Sequence, residues 1–172
     1  NPVRREFIEQ AAASSYDYDG QRPMRLLIVG GSLGAQAIND LLPEVAQKLL
    51  ANDQQNIEFW HQTGTAHVQH VYKSYGALLD RGVKVSAFIE NMASAYEWAD
   101  LVLCRAGALT VSELSIMGRP AILVPLPHAI DDHQSANAGF LVASGGGVLL
   151  RQCDMSVISL LDLLTGYLEN PP

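Results

Sequence analysis

Six times along the chain a short apolar run of strand length gives way to a stretch whose apolar residues recur at helical spacing. MRLLIVG (Met24 to Gly30) is followed by a stretch with apolar positions at Ile38, Leu41, Leu42, Val45 and Leu49. IEFWHQTG leads into a helical pattern from about Thr65 to Leu79, VKVSAF into NMASAYEWAD, and LVLC into LTVSELSIMG. AILVPLP then leads into DDHQSANAGFLVAS, and GGVLL into MSVISLLDLLTGYL. A strand followed each time by a helix calls for a sheet with both faces covered. Helices returning the chain across a sheet after every strand do that, which makes the strands parallel and the class α/β.

The expectation is therefore a doubly wound, Rossmann-like sheet of about six parallel strands. A chain of 172 residues that is 48% hydrophobic can bury one good core. Residues 24–172 are expected to form that single domain. Residues 1–23, with SSYDYDGQRP, read as an incoming linker or the start of the domain. The start at Asn1 and the end in LENPP point to a piece of a longer protein. A net charge of −7 argues against nucleic acid as a partner, because phosphate-backbone affinity rests on clustered Lys and Arg. Cys104 and Cys153 form no CxxC and are expected as buried free thiols in a reducing compartment. No apolar run approaches the ~20 residues that span a bilayer, so the fragment is expected to be soluble and any membrane contact peripheral.

In a doubly wound sheet, ligands bind beyond the carboxyl ends of the strands, and four strand-to-helix loops there are unusual. GGSLGA (Gly30 to Ala35) frees backbone N–H groups just ahead of a helix and offers the Ser32 hydroxyl, an arrangement that suits a phosphate. Its spacing is neither GxGxxG nor that of a Walker loop, and a tight turn without ligand is the other reading. In RAGALTVSE (Arg105 to Glu113), Gly107 and Ala108 leave room beside a helix that starts at Leu109 and Thr110. Glu113 follows one turn later, placed either to accept vicinal ribose hydroxyls or simply to favour the helix dipole. In FIENM, Phe88, Ile89 and Met92 form either ordinary core or an apolar slot for a nucleobase whose edge the Ile89 backbone reads. In PLPHAIDDHQSANAG, Gln134 and Asn137 share a helical face, and amides that both donate and accept suit sugar hydroxyls. A solvated helix start is the alternative there.

Together GGSLGA, HQTG, FIENMASAYEWADLVLCRAGALTVSEL, GRPAILVPLP and the spaced HQSAN resemble the donor-binding half of the MurG family of peptidoglycan N-acetylglucosaminyltransferases. The likeness covers nearly the whole chain, including the leading NPVR. It implies one half of a two-domain GT-B fold with inverting chemistry. The implied reaction moves N-acetylglucosamine from UDP-N-acetylglucosamine to an undecaprenyl-linked muramyl-pentapeptide, converting lipid I to lipid II. That places the whole enzyme peripherally on the cytoplasmic face of the bacterial inner membrane. By the resemblance, Arg4 and the Ile89 backbone lie near the uracil, and Met92 and Leu109 line the nucleoside region. Ser32 and Thr110 lie on the phosphate side, Glu113 holds the ribose, and Gln134 and Asn137 contact the sugar hydroxyls.

The pattern departs from the family at Leu33 and His133, each standing where the family often carries Gln. The acceptor domain lies outside this chain, and with it the expected general base, so no catalytic residue is assigned here. No cofactor is implied, because helix N-termini can stabilise the leaving diphosphate without a metal. Asp17-Tyr18-Asp19 is a literal D-x-D, but it sits in the expected linker. His67 and His70 are read as a solvent-facing helix rather than as metal ligands. A nucleotide-sugar epimerase of the same architecture, using His128, Asp131 and His133, and a non-catalytic UDP-sugar binding module remain the alternatives.

Overall fold

A computed structural model describes residues 5–31, 35–51, 56–127 and 133–172. In chain order the elements are α1 (Arg5–Ala13), β1 (Met24–Val29), α2 (Gln36–Ala51), β2 (Ile57–Gln62), α3 (Val68–Tyr75) and β3 (Val83–Ser86). Then come α4 (Met92–Trp98), β4 (Leu101–Cys104), α5 (Ala108–Met117), β5 (Ala121–Leu123), α6 (His133–Ala143), β6 (Gly147–Leu149) and α7 (Val157–Glu169). The six strands are all parallel, in the order β3-β2-β1-β4-β5-β6. The chain steps outward from β1 to β3, then returns to pair β4 with β1 and steps out the other way. Winding in two directions leaves a switch point between β1 and β4, where the loops after these strands diverge to opposite faces.

Alternate side chains of each strand feed two apolar layers. Leu26, Ile28, Phe59, Leu101 and Leu103 pack with α2, α3 and α7, while Leu27, Val102 and Leu123 pack with α1, α4, α5 and α6. All four residues of β4 are buried, as expected of a strand covered on both faces. At the far edge β6 approaches β5 so closely that a Cβ at Gly147 would collide with the Ala121 carbonyl. Gly118 ends α5 in the left-handed region at φ 59°. A capping box between Ser156 and Ser159 starts α7.

The leading segment is more than a linker. Arg5–Ala13 form a helix whose Phe7 is fully buried against Tyr96, with ring centroids 6.0 Å apart. Burying a phenylalanine is worth roughly 1.5–3 kcal/mol, enough to hold a short helix on the sheet's helical layer. Arg22 then grips Asp100 through two bonds of 2.6 and 2.8 Å at the amino end of β4. Elsewhere the expected helix from Thr65 to Leu79 is shorter, because Gly76 at φ 52° ends α3 and a 3₁₀ turn, Gly76–Asp80, follows. Of the two thiols only Cys104 is buried, and burial pushes it up to about 12; Cys153 is exposed.

Candidate functional site

The loops singled out in the sequence converge at the carboxyl ends of the strands. Two of them, after β1 and after β4, flank the switch point. Gly30 N–H donates to the Gln62 carbonyl at 3.0 Å, and Gly31 turns the chain at φ 75°, a conformation that favours glycine. Residues 32–34, including Ser32 and Leu33, lie outside the described residues, as do Arg4 and the segment 128–132 with His128, Asp131 and Asp132. Ala35 then opens α2.

Across the switch point, Gly107 is the N-cap of α5 and has no side chain to satisfy the first turn. The amides of Ala108, Leu109 and Thr110 therefore face the loop, with the positive end of the helix dipole behind them. Leu109 is exposed and Thr110 half-buried. Glu113, one turn further, is buried and accepts a 3.3 Å bond from the Tyr96 hydroxyl. Burial, with Cys104 and Glu113 adding to it, holds the Tyr96 proton on well above the usual phenol range, so the tyrosine donates.

Ile89 is buried in the apolar layer beside α4, and Met92, the first residue of α4, packs against the same layer. The Ile89 side chain thus serves as core and Met92 is partly buried against it, leaving the Ile89 main chain, one side of Met92 and the exposed Phe88 ring at the strand ends. Asn91 caps α4 by accepting from Ser94 N–H at 2.9 Å.

On α6, Gln134 and Asn137 each tie a loop in place. Gln134 Oε1 accepts from Leu126 N–H at 2.8 Å, and Asn137 Nδ2 donates to the Ala106 carbonyl at 3.2 Å. Gln134 Nε2, a donor, and Asn137 Oδ1, an acceptor, remain outside these bonds.

The sequence reading gave no role to Arg105. Its half-buried guanidinium donates to the carbonyls of Val124 and Pro125 at 3.4 and 3.3 Å and to Gln152 Oε1 at 2.7 Å. Burial lowers its pKa but leaves it a cation. A lone arginine directly after a four-residue apolar strand was the available signal. It lines a cavity of about 430 Å³ together with Ala35, Gln36, Ala37, Asp40, Leu126, Pro127 and Gln152. Larger cavities of about 950 and 810 Å³ lie elsewhere, between α2 and α3 and at the opposite end of β5 and β6, away from the convergent loops.

Asp17 and Asp19 sit at the amino-terminal edge of the sheet, where Asp17 lies 3.5 Å from Arg22 and Asp19 accepts from Gln21 N–H. His70 is exposed on α3 and His67 precedes its first turn. Among the described residues no group of three or more His, Cys, Asp or Glu could hold a metal ion. What the convergent loops offer is amide donors at a helix start, one arginine and a buried carboxylate around a switch-point crevice. These suit a phosphorylated, hydroxylated ligand.

Residues 25–172 match the glycosyltransferase family 28 C-terminal domain. The chain belongs to that family. A relative from Psychromonas ingrahamii, named UDP-N-acetylglucosamine–N-acetylmuramyl-(pentapeptide) pyrophosphoryl-undecaprenol N-acetylglucosamine transferase, is 46% identical over 170 residues, covering 99% of this chain and 46% of the relative. A relative of the same name from Shewanella oneidensis is 49% identical over 167 residues, covering 95% of this chain and 44% of its own. The crystal structure of Acinetobacter baumannii MurG superposes with a TM-score of 0.76 at 38% identity, covering 93% of this chain and 44% of that one. The family 28 chain thus spans less than half the length of the curated relatives it matches. Its doubly wound sheet is what one half of a GT-B glycosyltransferase requires.

Proposed function

We propose that this chain is the donor-binding half of an inverting N-acetylglucosaminyltransferase that takes UDP-N-acetylglucosamine and glycosylates a lipid-linked muramyl-pentapeptide, lipid I, to give lipid II. The observation that carries the reading is the pair of helix starts, α2 and α5, on either side of the switch point, in a chain 46 to 49% identical to transferases of that name. That naming also favours transfer over the epimerase alternative.

In this reading the uracil edge meets the Ile89 main chain, with Arg4 nearby and Met92 and Leu109 along the nucleoside. Glu113, oriented by the Tyr96 hydroxyl, accepts the ribose hydroxyls. Ser32, Thr110 and the first-turn amides of α5 face the diphosphate, and Arg105 supplies the fixed positive charge. Gln134 Nε2 and Asn137 Oδ1 meet the sugar hydroxyls as donor and acceptor.

The chemistry is a single displacement at the anomeric carbon. An acceptor hydroxyl forms the new C–O bond as the bond to the diphosphate breaks, and UDP leaves with the electron pair. The hydroxyl proton passes to a base on the acceptor-binding half. Oriented amides and Arg105 stabilise the charge developing on the leaving group, where preorganised donors act without reorganisation. The whole enzyme would work at the cytoplasmic face of the inner membrane by peripheral contact; no helix among the described residues is long and apolar enough to cross a membrane.

The test is sugar transfer to a lipid I analogue. This chain alone is expected to show none, and the chain joined to its acceptor-binding half to restore it. Transfer by this chain near the rate of the joined protein would place the base here, with His128 and His133 the first residues to replace.

A further inference from the structure

The HQT run at the end of β2 carries a buried polar network. His61 is fully buried, and its two ring nitrogens meet different partners: Nδ1 lies 2.8 Å from the Tyr75 hydroxyl and Nε2 lies 2.9 Å from Asn39 Oδ1. Asn39 Nδ2 donates to the Thr63 carbonyl at 3.0 Å, which leaves its oxygen facing the ring. An amide oxygen only accepts, so Nε2 carries the proton, and Nδ1 accepts from Tyr75. Asn39 in turn sits on the first turn of α2, where its N–H donates to the Ala35 carbonyl at 2.8 Å. Ala35 is the last residue of the glycine-rich loop and lines the 430 Å³ cavity. The first residue of that loop, Gly30, donates to the carbonyl of Gln62, next to His61. Gly30 and the first turn of α2 are thus fastened to three consecutive residues, His61 and Gln62 at the end of β2 and Thr63 just after it, one through the main chain and the other through the imidazole and the Thr63 carbonyl.

We propose that His61 is a positioning residue that holds the start of α2 relative to the end of β1, and so sets the reach of the first-turn amides of α2 toward the phosphates of a bound nucleotide. The proposal rests on the donor-site reading above. Neutral His61 is the side chain that meets this geometry by offering a donor and an acceptor on opposite sides of one rigid ring. Phenylalanine keeps the shape and loses both bonds, and glutamine keeps a donor toward Asn39.

The experiment compares UDP with uridine, which lacks the phosphates, by calorimetry on the parent chain and on His61→Phe, His61→Gln, Tyr75→Phe and Leu164→Ala. Leu164, on the buried face of α7, serves as a control for stability alone. His61→Phe is expected to weaken UDP about three- to tenfold or more while leaving uridine within about twofold, consistent with loss of one or two hydrogen bonds. Glutamine should restore part of the loss, and Leu164→Ala should lower Tm without changing either affinity. Tyr75→Phe, which removes one oxygen, gives a milder form of the same selective loss and keeps the test open if His61→Phe does not fold. Nitrogen-15 NMR of the parent imidazole should show the proton on Nε2. A proton on Nδ1, or His61 and Tyr75 variants that bind UDP as the parent does, overturns the proposal. A parent that binds neither UDP nor uridine instead overturns the donor reading, and the proposal with it.

Discussion

The Tyr96 hydroxyl reaches across 3.3 Å to Glu113 Oε2, joining α4, which begins at the end of FIENM, to α5, which begins after RAG. The second of these helices starts at the switch point, so this bond ties the carboxylate there to α4, which begins three residues after Ile89.

Glu113→Ala should therefore remove most of the rise in Tm that saturating UDP gives the parent chain, corresponding to about ten- to hundredfold weaker binding. Tyr96→Phe leaves the carboxylate and removes one of its hydrogen bonds, and about three- to tenfold is expected. Thermal denaturation with and without UDP reads both. A Glu113→Ala chain stabilised as strongly as the parent would remove the ribose assignment.

Arg105 adds charge where the diphosphate would lie. Arg105→Gln is expected to weaken UDP about tenfold or more and uridine far less, and to reduce the salt dependence of UDP binding. Equal losses for both ligands would mean that Arg105 acts only by holding the loops at Val124, Pro125 and Gln152.

His61 should shape stability in acid. Burial lowers its pKa to about 3, against about 6.5 in the unfolded chain. Below about pH 6.5 the unfolded state takes up a proton that the folded state refuses, so stability falls as the pH drops toward about 3 and is fully present above 6.5. His61→Gln cannot take up that proton, so its Tm should fall less steeply than the parent's from pH 7 to pH 4. Parallel Tm profiles for the two chains would contradict the buried neutral ring.

The sheet was legible because its central strands are buried on both faces and written as apolar runs; LVLC, buried throughout, could be little else. Helix α1 was hidden because Phe7 is its one fully buried residue, and the surrounding Arg5, Glu6, Glu9 and Gln10 give it the composition of a linker. The break in α3 depended on Gly76 adopting a positive φ, which the helical spacing on either side masked. At the site, Gly107, Thr110 and Glu113 could be placed because one loop and one helical turn hold them. The His61 network joins residues 14 and 22 positions apart in the chain, and no local pattern announces such partners. Gln134 and Asn137 were read as ligand contacts on one helical face; that one polar atom of each holds Leu126 or Ala106 depends on a tertiary approach of α6 to two loops.

The most direct measurement is a calorimetric titration of UDP-N-acetylglucosamine into this chain, with and without EDTA and beside a sugar nucleotide of another base. Saturable one-to-one binding is expected, changed by less than about twofold on chelation, since in the proposed reading amides and Arg105 rather than a metal face the diphosphate. The guanine or thymine counterpart should bind more weakly. No binding of UDP-N-acetylglucosamine would contradict the donor-half account, and a large loss of affinity in EDTA would return Asp17 and Asp19 to consideration as metal ligands.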